Sequence, residues 1–277
     1  MLNIKSINQQ LNNFHELVEN KDLVKQIKQP KGLKTGVDLG TSSIVLVVLD
    51  ESNRPLFGAY EYAKVVRDGI IVDYLNSVRI VRKLKEEAEA KLGVSLTTAS
   101  GAIPPGTGEN SEKVVANVLG DAGFDASIII DEPTAAARFL NMTEGSVIDI
   151  GGGTTGISNF EKGQSVAIFD EPTGGYHMSL VVSGAFSVPI DEAELLKRNR
   201  AKEVEVFGAV RPVVEKMATI AARYVVASEQ APVVVVGGAT NFKEFVHTFE
   251  KIMKRPVIRP QYPEFVTPIG IAMFDQE

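Results

Sequence analysis

The sequence predicts an α/β protein of two similar halves, each with a sheet covered by helices. Patterns typical of strands alternate with patterns typical of helices along residues 34–145, and again along residues 146–263. Each half also contains an apolar run, an Asp, a turn of Gly and hydroxyl residues, and a second apolar run. These motifs, at residues 37–43 and 148–156, indicate a duplicated domain. The 277 residues suffice for two separate cores.

An amphipathic helix is predicted within an N-terminal extension of residues 1–33. Apolar residues recur there at intervals of three and four, which places them in one narrow stripe of a helix. The stripe contains Ile4, Ile7, Leu11, Phe14 and Val18. Two interpretations stay open for this helix. It packs on the body of the protein, or it detaches and docks in a groove of a partner.

The first half reads as strands followed by alternating helices and strands. Apolar runs at residues 44–50 and 56–62 flank a turn and predict a hairpin. The helix predicted at 77–92 ends at Gly93, a common helix stop. The remaining elements of this half are a strand at 99–103, a helix at 111–122, a strand at 127–130 and a helix at 133–141. Pro133 suits the first turn of that last helix.

The second half repeats this order. A strand at 147–150 enters the second glycine turn, and a hairpin follows at 156–160 and 166–169. Helices are predicted at 177–184, 192–198, 210–228 and 241–253, with a buried strand at 233–236. We expect a C-terminal helix, within residues 264–277, to return to the first half.

Composition excludes several functional classes. The formal net charge of −6 argues against a general nucleic-acid binder, which needs a basic surface. The absence of cysteine excludes disulfides, cysteine–zinc sites and thiol nucleophiles. No apolar run is long enough to span a membrane. With no secretory signal recognised, we expect a cytoplasmic protein.

The two repeated loops have the residues that a metal–polyphosphate site needs. A carboxylate repels phosphate unless Mg²⁺ lies between them, so Asp38 and Asp149 suggest a Mg²⁺ held through water. Glycines let backbone N–H groups approach phosphate oxygens, and hydroxyls add donors. The loop residues expected to contact the cofactor are Gly40, Thr41, Ser42, Gly151, Gly152, Gly153, Thr154 and Thr155.

Further residues strengthen this interpretation. Glu132, at the end of another predicted strand, supplies a third carboxylate that can orient a water or the metal shell. Gly237 and Gly238 form another glycine turn after a buried strand. Each loop alone is also compatible with ordinary turn chemistry. Their combination favours a nucleotide site.

Two other phosphate-binding motifs do not apply. Residues 151–156 match the dinucleotide fingerprint G-x-G-x-x-G, but that fingerprint needs a helix directly after its glycines. A hairpin is predicted there instead. The sequence also contains no G-x-x-x-x-G-K-[ST] loop, so the site is not a P-loop.

These residues resemble motifs of the superfamily that contains actin, the sugar kinases and the Hsp70 ATPase domain. The resemblance covers the first phosphate motif at 37–41, the second at 148–155, the adenosine motif at 234–240, and the connecting helices at 131–137 and 267–272. Order and spacing agree over almost all of residues 34–277. The resemblance implies two actin-like (ribonuclease H-like) domains with a nucleotide cleft between them.

The resemblance also implies roles for individual residues. Asp38 and Asp149 orient waters on Mg²⁺, and Glu132 lies near the attacking water or the metal shell. Thr154 joins these three as a catalytic residue. Phosphates are held by Thr41, Gly152, Gly153 and Thr154, the nucleoside is flanked by Gly237 and Gly238, and adenosine is gripped by Glu194, Lys197 and Arg198. The implied cofactors are ATP or ADP with Mg²⁺.

A closer resemblance is to short Hsp70-like proteins of ethanolamine utilization, which are associated with bacterial microcompartment operons. It is carried by residues 65–74, 102–107, 170–175 and 210–217. It implies an ATP-dependent conformational switch or chaperone-like factor whose partners are microcompartment enzymes or shell proteins. Whether ATP is hydrolysed stays open. So do three alternatives: a small-molecule kinase, an actin-like scaffold and a non-hydrolysing adaptor.

Overall fold

In the computed structural model, the chain forms two mixed sheets flanked by helices. The structure describes residues 2–28, 31–67, 69–226, 228 and 230–276. Among these residues, no helix combines the length and apolar character needed to cross a membrane. The two sheets and their flanking helices confirm the predicted α/β class. One sheet lies in each half of the sequence.

The strands of the first sheet are β1 (Lys34–Leu39), β2 (Ser43–Leu49), β3 (Pro55–Tyr62), β6 (Thr98–Ile103) and β7 (Asp125–Asp131). They lie in the order β3-β2-β1-β6-β7. The first three are antiparallel neighbours, whereas β6 and β7 run parallel to β1. A small separate hairpin consists of β4 (Val66–Arg67) and β5 (Ile70–Ile71). The interior strand β2 is almost wholly apolar and buried on both faces, as expected of a covered sheet.

The second sheet has the order β10-β9-β8-β11 and repeats the centre of the first. Its strands are β8 (Gly145–Ile150), β9 (Thr155–Glu161), β10 (Gln164–Glu171) and β11 (Val233–Val236). The hairpin β8–β9 corresponds to β1–β2, and the parallel strand β11 corresponds to β6. Asp38 and Asp149 each lie one residue before the end of the corresponding strand, so both carboxylates reach the same end of their sheets.

Helices cover these sheets and join them. They are α1 (Ile4–Glu19), α2 (Tyr74–Leu92), α3 (Glu109–Asp121), α4 (Glu132–Leu140), α5 (Gly175–Phe186), α6 (Ile190–Arg198), α7 (Glu203–Tyr224), α8 (Phe245–Met253) and α9 (Val266–Ala272). Short 3₁₀ turns occur at Lys21–Leu23, Arg200–Lys202, Gly238–Thr240 and Pro263–Phe265. The apolar faces of α2 and α3 pack against the first sheet, and those of α5, α7 and α8 against the second.

Helices α4 and α9 cross each other at a glycine. A Cβ on Gly270 would lie 1.9 Å from the carbonyl oxygen of Ala135, so only glycine permits this approach. Helix α9 also packs closely on β1, where a Cβ on Gly36 would lie 2.4 Å from the backbone N of Ala272. The C-terminal helix therefore contacts the first sheet, while the domain boundaries at 145/146 and 263/264 stay predictions.

Helix α1 lies packed on the body of the protein. Its buried residues are Ile7, Leu11, Phe14 and Val18, which belong to the predicted stripe. They pack against β3, where Gly58 leaves room for the ring of Phe14. An isolated helix of this length is only marginally stable in water, so burial of the stripe stabilises α1.

Helix α7 differs in extent from the predicted helix at 210–228. It begins earlier because Val206 and Phe207 continue the buried stripe toward its N-terminus. It ends at Tyr224 because the side chain of Asn159 accepts a hydrogen bond from the N–H of Val226 (3.0 Å) and donates one to the carbonyl of Tyr224 (3.0 Å). Ala227, at the predicted C-terminal end, lies outside the described residues.

The first sheet is fastened at one end by a buried carboxylate from the C-terminal segment. Asp275 is fully buried and accepts hydrogen bonds from the Thr35 N–H (2.8 Å), the Thr98 hydroxyl (2.9 Å) and the Ser127 hydroxyl (2.7 Å). These three donors belong to β1, β6 and β7. One side chain therefore ties the three parallel strands together.

We expect Asp275→Ala to lower the free energy of unfolding by about 2–4 kcal/mol, because it leaves the buried N–H of Thr35 without an acceptor and removes the acceptor that two hydroxyls share. Urea unfolding of wild type and variant measures this loss. Asp125→Ala, which removes an exposed carboxylate from the same sheet, is the control and should change stability by less than about 0.5 kcal/mol. Equal stability of the two variants would contradict the role of Asp275.

Candidate functional site: a cleft between the two sheets

A cavity of about 370 Å³ lies between the two sheets, and loops from both halves line it. The predicted site residues that line it are Asp38, Gly40, Thr41, Ser42, Glu132, Asp149, Gly151, Gly152, Gly153, Thr154, Glu194, Lys197, Arg198, Gly237 and Gly238. Thr155 does not line it. Its buried hydroxyl donates to the carbonyl of Thr173 (2.6 Å) and fastens the start of β9 instead. The fold thus brings predicted residues from Asp38 to Gly238 into one cavity.

The two repeated loops have the same backbone closure and face each other. Gly40 N–H donates to the Ser43 carbonyl (3.0 Å), and Gly151 N–H donates to the Thr154 carbonyl (3.2 Å). A Cβ on Gly152 would lie 2.4 Å from the Oγ of Ser42. The glycine therefore allows the loop of the second half to approach the loop of the first.

The N-terminus of α5 holds the second loop from behind. The N–H groups of Gly175 and Tyr176 donate to the carbonyls of Gly151 (2.9 Å) and Gly152 (2.7 Å). In a planar trans peptide the N–H points opposite to the C=O. The N–H groups of Gly152 and Gly153 therefore point away from α5, where they are available to an anion.

Three carboxylates share the cleft. Burial and then the neighbouring Asp149 raise the pKa of Asp38 from 3.8 to about 7. Burial raises the pKa of Asp149 to about 6, although the hydroxyl of Thr267 donates to this carboxylate and opposes the rise. Burial, Asp149 and Asp38 raise the pKa of Glu132 well above 4.5. These shifts show that the cleft disfavours three negative charges without a cation.

The position of Glu132 follows from local helix chemistry. It is the first residue of α4, and the preceding residue Asp131 caps the helix by accepting from the Thr134 N–H (2.9 Å). Pro133 occupies the first turn, where its missing N–H costs nothing. Strand β7 runs directly into this helix, so Glu132 is held at the end of the sheet.

On the second half, α6 carries an ion-pair network at the wall of the cavity. Glu194 contacts Lys197 (2.7 Å) and Arg198 (2.8 Å), and Lys197 also donates to the Gly175 carbonyl (2.8 Å). Burial raises the pKa of Glu194, but Lys197 and the other partners outweigh it and leave that pKa below its usual value. Arg198 reaches across the cleft and lies 3.8 Å from the ring centroid of Tyr62.

The third glycine turn abuts one of the carboxylates. Gly237 has a φ of 90°, and a Cβ there would lie 2.5 Å from Oδ1 of Asp149. Its N–H donates to the Pro263 carbonyl (3.0 Å), and Thr240 Oγ1 donates to the Gly237 carbonyl (2.8 Å). The turn is therefore fixed between β11 and the segment before α9.

Other cavity residues were not identified from the sequence. They include His15, Tyr62, Asn241, Glu264 and Thr267. Thr267 lies within the motif that resembles the second connecting helix, so that motif could have indicated it. His15, Tyr62, Asn241 and Glu264 belong to no such motif and reach the cavity only through the fold.

The donor set suits the predicted Mg²⁺. This ion prefers oxygen ligands and retains several waters, and Asp38 and Asp149 supply carboxylate oxygens beside loops that can accept phosphate. Among the described residues, no group of three or more His, Asp or Glu side chains is arranged to hold a metal by itself. A metal held through water and phosphate therefore stays a prediction.

The raised pKa of Asp38 gives a test of the cleft without any ligand. The folded state keeps this proton up to about pH 7, whereas the unfolded chain releases it near pH 4. The folded state then binds more protons between these values, so this group lowers stability as the pH rises from about 4 to 7. We expect Asp38→Asn to gain about 1–3 kcal/mol relative to wild type between pH 5 and pH 8.

Urea unfolding at both pH values measures this difference. Asp125→Asn, which alters an exposed carboxylate, is the control and should follow the wild-type pH dependence. A difference between Asp38→Asn and wild type that does not change with pH would show that Asp38 is ionised in the folded state throughout.

Comparison with known proteins agrees with this geometry. The Hsp70 protein family matches residues 76–182, and the family of the cell division protein FtsA matches residues 146–270. MreB 5 of Spiroplasma citri bound to AMPPNP superposes with a TM-score of 0.67 at 16% identity, over 89% of this chain and 96% of that one. At this identity the likeness shows the actin-like fold alone.

Two ethanolamine utilization proteins are much more similar. EutJ of Salmonella typhimurium is 39% identical over 238 residues, which cover 86% of this chain and 84% of the relative. The crystal structure of EutJ from Carboxydothermus hydrogenoformans superposes with a TM-score of 0.91 at 43% identity, over 98% of this chain and 99% of that one. The chain therefore belongs to the EutJ family of ethanolamine utilization proteins, within the superfamily of Hsp70-like and actin-like ATPases.

Proposed function

We propose that the protein binds ATP and ADP with Mg²⁺ in the cleft and acts as a nucleotide-dependent conformational switch in ethanolamine utilization. The observation that carries this proposal is the pair of facing glycine loops with Asp38 and Asp149 at their bases. Backbone donors on both loops suit phosphates, and the repelling carboxylates suit a divalent cation between them. Neighbours with the same fold are described as bound to AMPPNP, ADP or ADPNP, which supports a nucleotide at this position.

The roles we propose within the site are those that the resemblance to the superfamily implies. Asp38 and Asp149 hold waters of Mg²⁺, and the loop residues Gly40–Ser42 and Gly151–Thr154 hold the phosphates. Glu194, Lys197 and Arg198, with the turn at Gly237 and Gly238, bind the nucleoside. Thr155 stabilises the second loop without contacting the cofactor, since its hydroxyl is occupied by the Thr173 carbonyl.

Slow ATP hydrolysis is part of the proposal. Glu132 lines the cleft, where burial and the neighbouring carboxylates raise its pKa. A bound cation would favour the ionised form of Glu132, which can then accept a proton from the attacking water. Thr154 lies on the loop opposite Asp38, and its hydroxyl, which donates to Asp170, keeps oxygen lone pairs that can accept a hydrogen bond from the attacking water. Hydrolysis would then change the contacts that hold the two loops together.

The switch acts on other components of the pathway. We infer that its partners are microcompartment enzymes or shell proteins, toward which it has a chaperone-like role in the cytoplasm or at the microcompartment. Membership of the EutJ family and the match to Hsp70 support this assignment. The residues 34–145 with 264–277, and the residues 146–263, are the two domains that move.

We expect Asp149→Ala to weaken binding of Mg²⁺–ATP by about 10–100-fold, because a group that orients the metal shell is lost. Without Mg²⁺, the same variant should bind ATP no more weakly than wild type, since the lost carboxylate repels phosphate. Titration calorimetry with and without Mg²⁺ measures both affinities. Glu192→Ala, which removes an exposed carboxylate on α6, should match wild type. Unchanged Mg²⁺–ATP affinity in Asp149→Ala would refute the proposed site.

We expect Glu132→Gln to slow ATP hydrolysis by about 100-fold while changing ATP affinity less than about threefold, because the amide cannot accept the proton. Single-turnover assays with radiolabelled ATP measure the rate. The control Glu161→Gln alters an exposed carboxylate at the end of β9. Equal rates in Glu132→Gln and wild type would exclude this role, and no hydrolysis by wild type would favour a non-hydrolysing adaptor.

A further inference from the structure

The N-terminal helix α1 forms part of the wall of the cleft. His15 and Glu19, on its last turns, line the cavity together with Tyr60 of β3 and Glu264. The buried stripe of α1 lies on the side that packs against β3. The same helix therefore packs on the first sheet and reaches the cavity.

Three contacts join α1 to residues 261–265, the segment that leads into α9. The imidazole of His15 stacks on the ring of Tyr262, with centroids 3.9 Å apart and planes 18° apart. Phe14 meets Phe265 edge to face at 5.0 Å, and the side chain of Asn8 accepts from the Gln261 N–H (2.9 Å). These contacts fix the segment against the helix.

Tyr262 has a backbone conformation that its residue type disfavours. Its φ of 47° and ψ of 56° lie in the left-handed region, which bulky side chains rarely occupy. It also precedes Pro263, and the residue before a proline favours extended backbone. The stack with His15 is a direct contact that can hold Tyr262 in this conformation.

The turn at Tyr262 supports the glycine turn at Gly237 in the cleft. The carbonyl of Pro263 accepts the N–H of Gly237 (3.0 Å), and the carboxylate of Glu264 accepts from the side chain of Asn241 (2.9 Å). Gly237 and Asn241 flank the 3₁₀ turn Gly238–Thr240 on the nucleoside side of the proposed site. A change in the backbone at Tyr262 would shift both partners.

We propose that His15 is a positioning residue for the nucleoside end of the cleft, acting through Tyr262 and Pro263 on Gly237. The inference rests on the proposed nucleotide site and adds α1 to it as a support. His15 sets the affinity for the nucleoside and leaves the affinity for the triphosphate chain unchanged. Thermodynamic coupling is reciprocal, so nucleotide in turn holds α1 on the body.

The test compares two probes, ADP and inorganic tripolyphosphate, each with Mg²⁺. We expect His15→Ala to weaken ADP binding by about tenfold, because Tyr262 is released from its strained conformation. Tripolyphosphate binding should change less than about twofold, since it uses the phosphate loops alone. Gln10→Ala, an exposed change on the same helix, is the control and should leave both affinities unchanged.

A second variant separates positioning from a general loss of structure. Glycine adopts positive φ without strain, so Tyr262→Gly should keep the turn in place without the stack. The double variant His15→Ala, Tyr262→Gly should therefore recover ADP affinity to within about threefold of wild type. Failure of this rescue would overturn the path through Tyr262.

The remaining outcomes are equally decisive. Unchanged ADP affinity in His15→Ala, with normal binding by wild type, would overturn this inference alone. Equal loss of ADP and tripolyphosphate binding would assign His15 a general structural role and overturn it too. Wild-type protein that binds neither probe would contradict the proposed function and, with it, this inference. Slower hydrogen exchange of the α1 amides with ADP would support the reciprocal effect.

Discussion

The mutual repulsion of Asp38, Glu132 and Asp149 in one cleft is the constraint on which the rest of the structure depends. Burial is the largest cause of the raised pKa values of Asp38 and Glu132. Asp149 raises both of these pKa values further, and Asp38 also raises that of Glu132. Such an arrangement is unfavourable on its own and persists only when the surrounding fold determines it strongly. Each of the three comes from the end of a strand or the start of the helix after it, where the backbone is fixed by a sheet. The favourable packing of the two sheets therefore offsets the electrostatic cost of bringing the three carboxylates together in the cleft.

Helix α9 links the packing of the sheets to the positions of the three carboxylates. At Gly270 it touches α4, which begins with Glu132, and at Ala272 it touches β1, which carries Asp38. Its residue Thr267 donates a hydrogen bond to Asp149. Helix α9 thus contacts the elements that carry Glu132 and Asp38, and it contacts Asp149 directly. Because the crossing at Gly270 leaves no room for a Cβ, a shift of α9 would disturb the three groups together.

The parts of this site that sequence could predict are those with a local pattern. The two Asp–Gly loops lie inside hairpins whose strands are continuous apolar runs, and Glu132 stands directly before a proline at a helix start. Asp275, Tyr262 and Asn159 carry no such pattern, because their effects depend on partners far along the chain. The neighbouring residues Thr154 and Thr155 show how far a motif alone can predict which residues contact the site. Thr154 lies in the turn and lines the cleft, whereas Thr155 is the first residue of β9 and its hydroxyl bonds the Thr173 carbonyl, so the point at which the strand begins decides which threonine meets the cleft.

The contacts between the halves differ in kind from one side of the cleft to the other. At the base, one apolar cluster joins Ala136 of the first half to Val147 and Val234 of the second. At the mouth, the halves meet through the ion pair of Lys64 with Asp191 and the contact of Arg198 with Tyr62. Both members of that ion pair are largely exposed, and exposed pairs contribute about 1 kcal/mol or less. Separating the mouth therefore costs little, whereas separating the base would open a packed core. The difference favours rotation of the halves about this packed base, a motion that would change the distance between the two phosphate loops while leaving each loop intact.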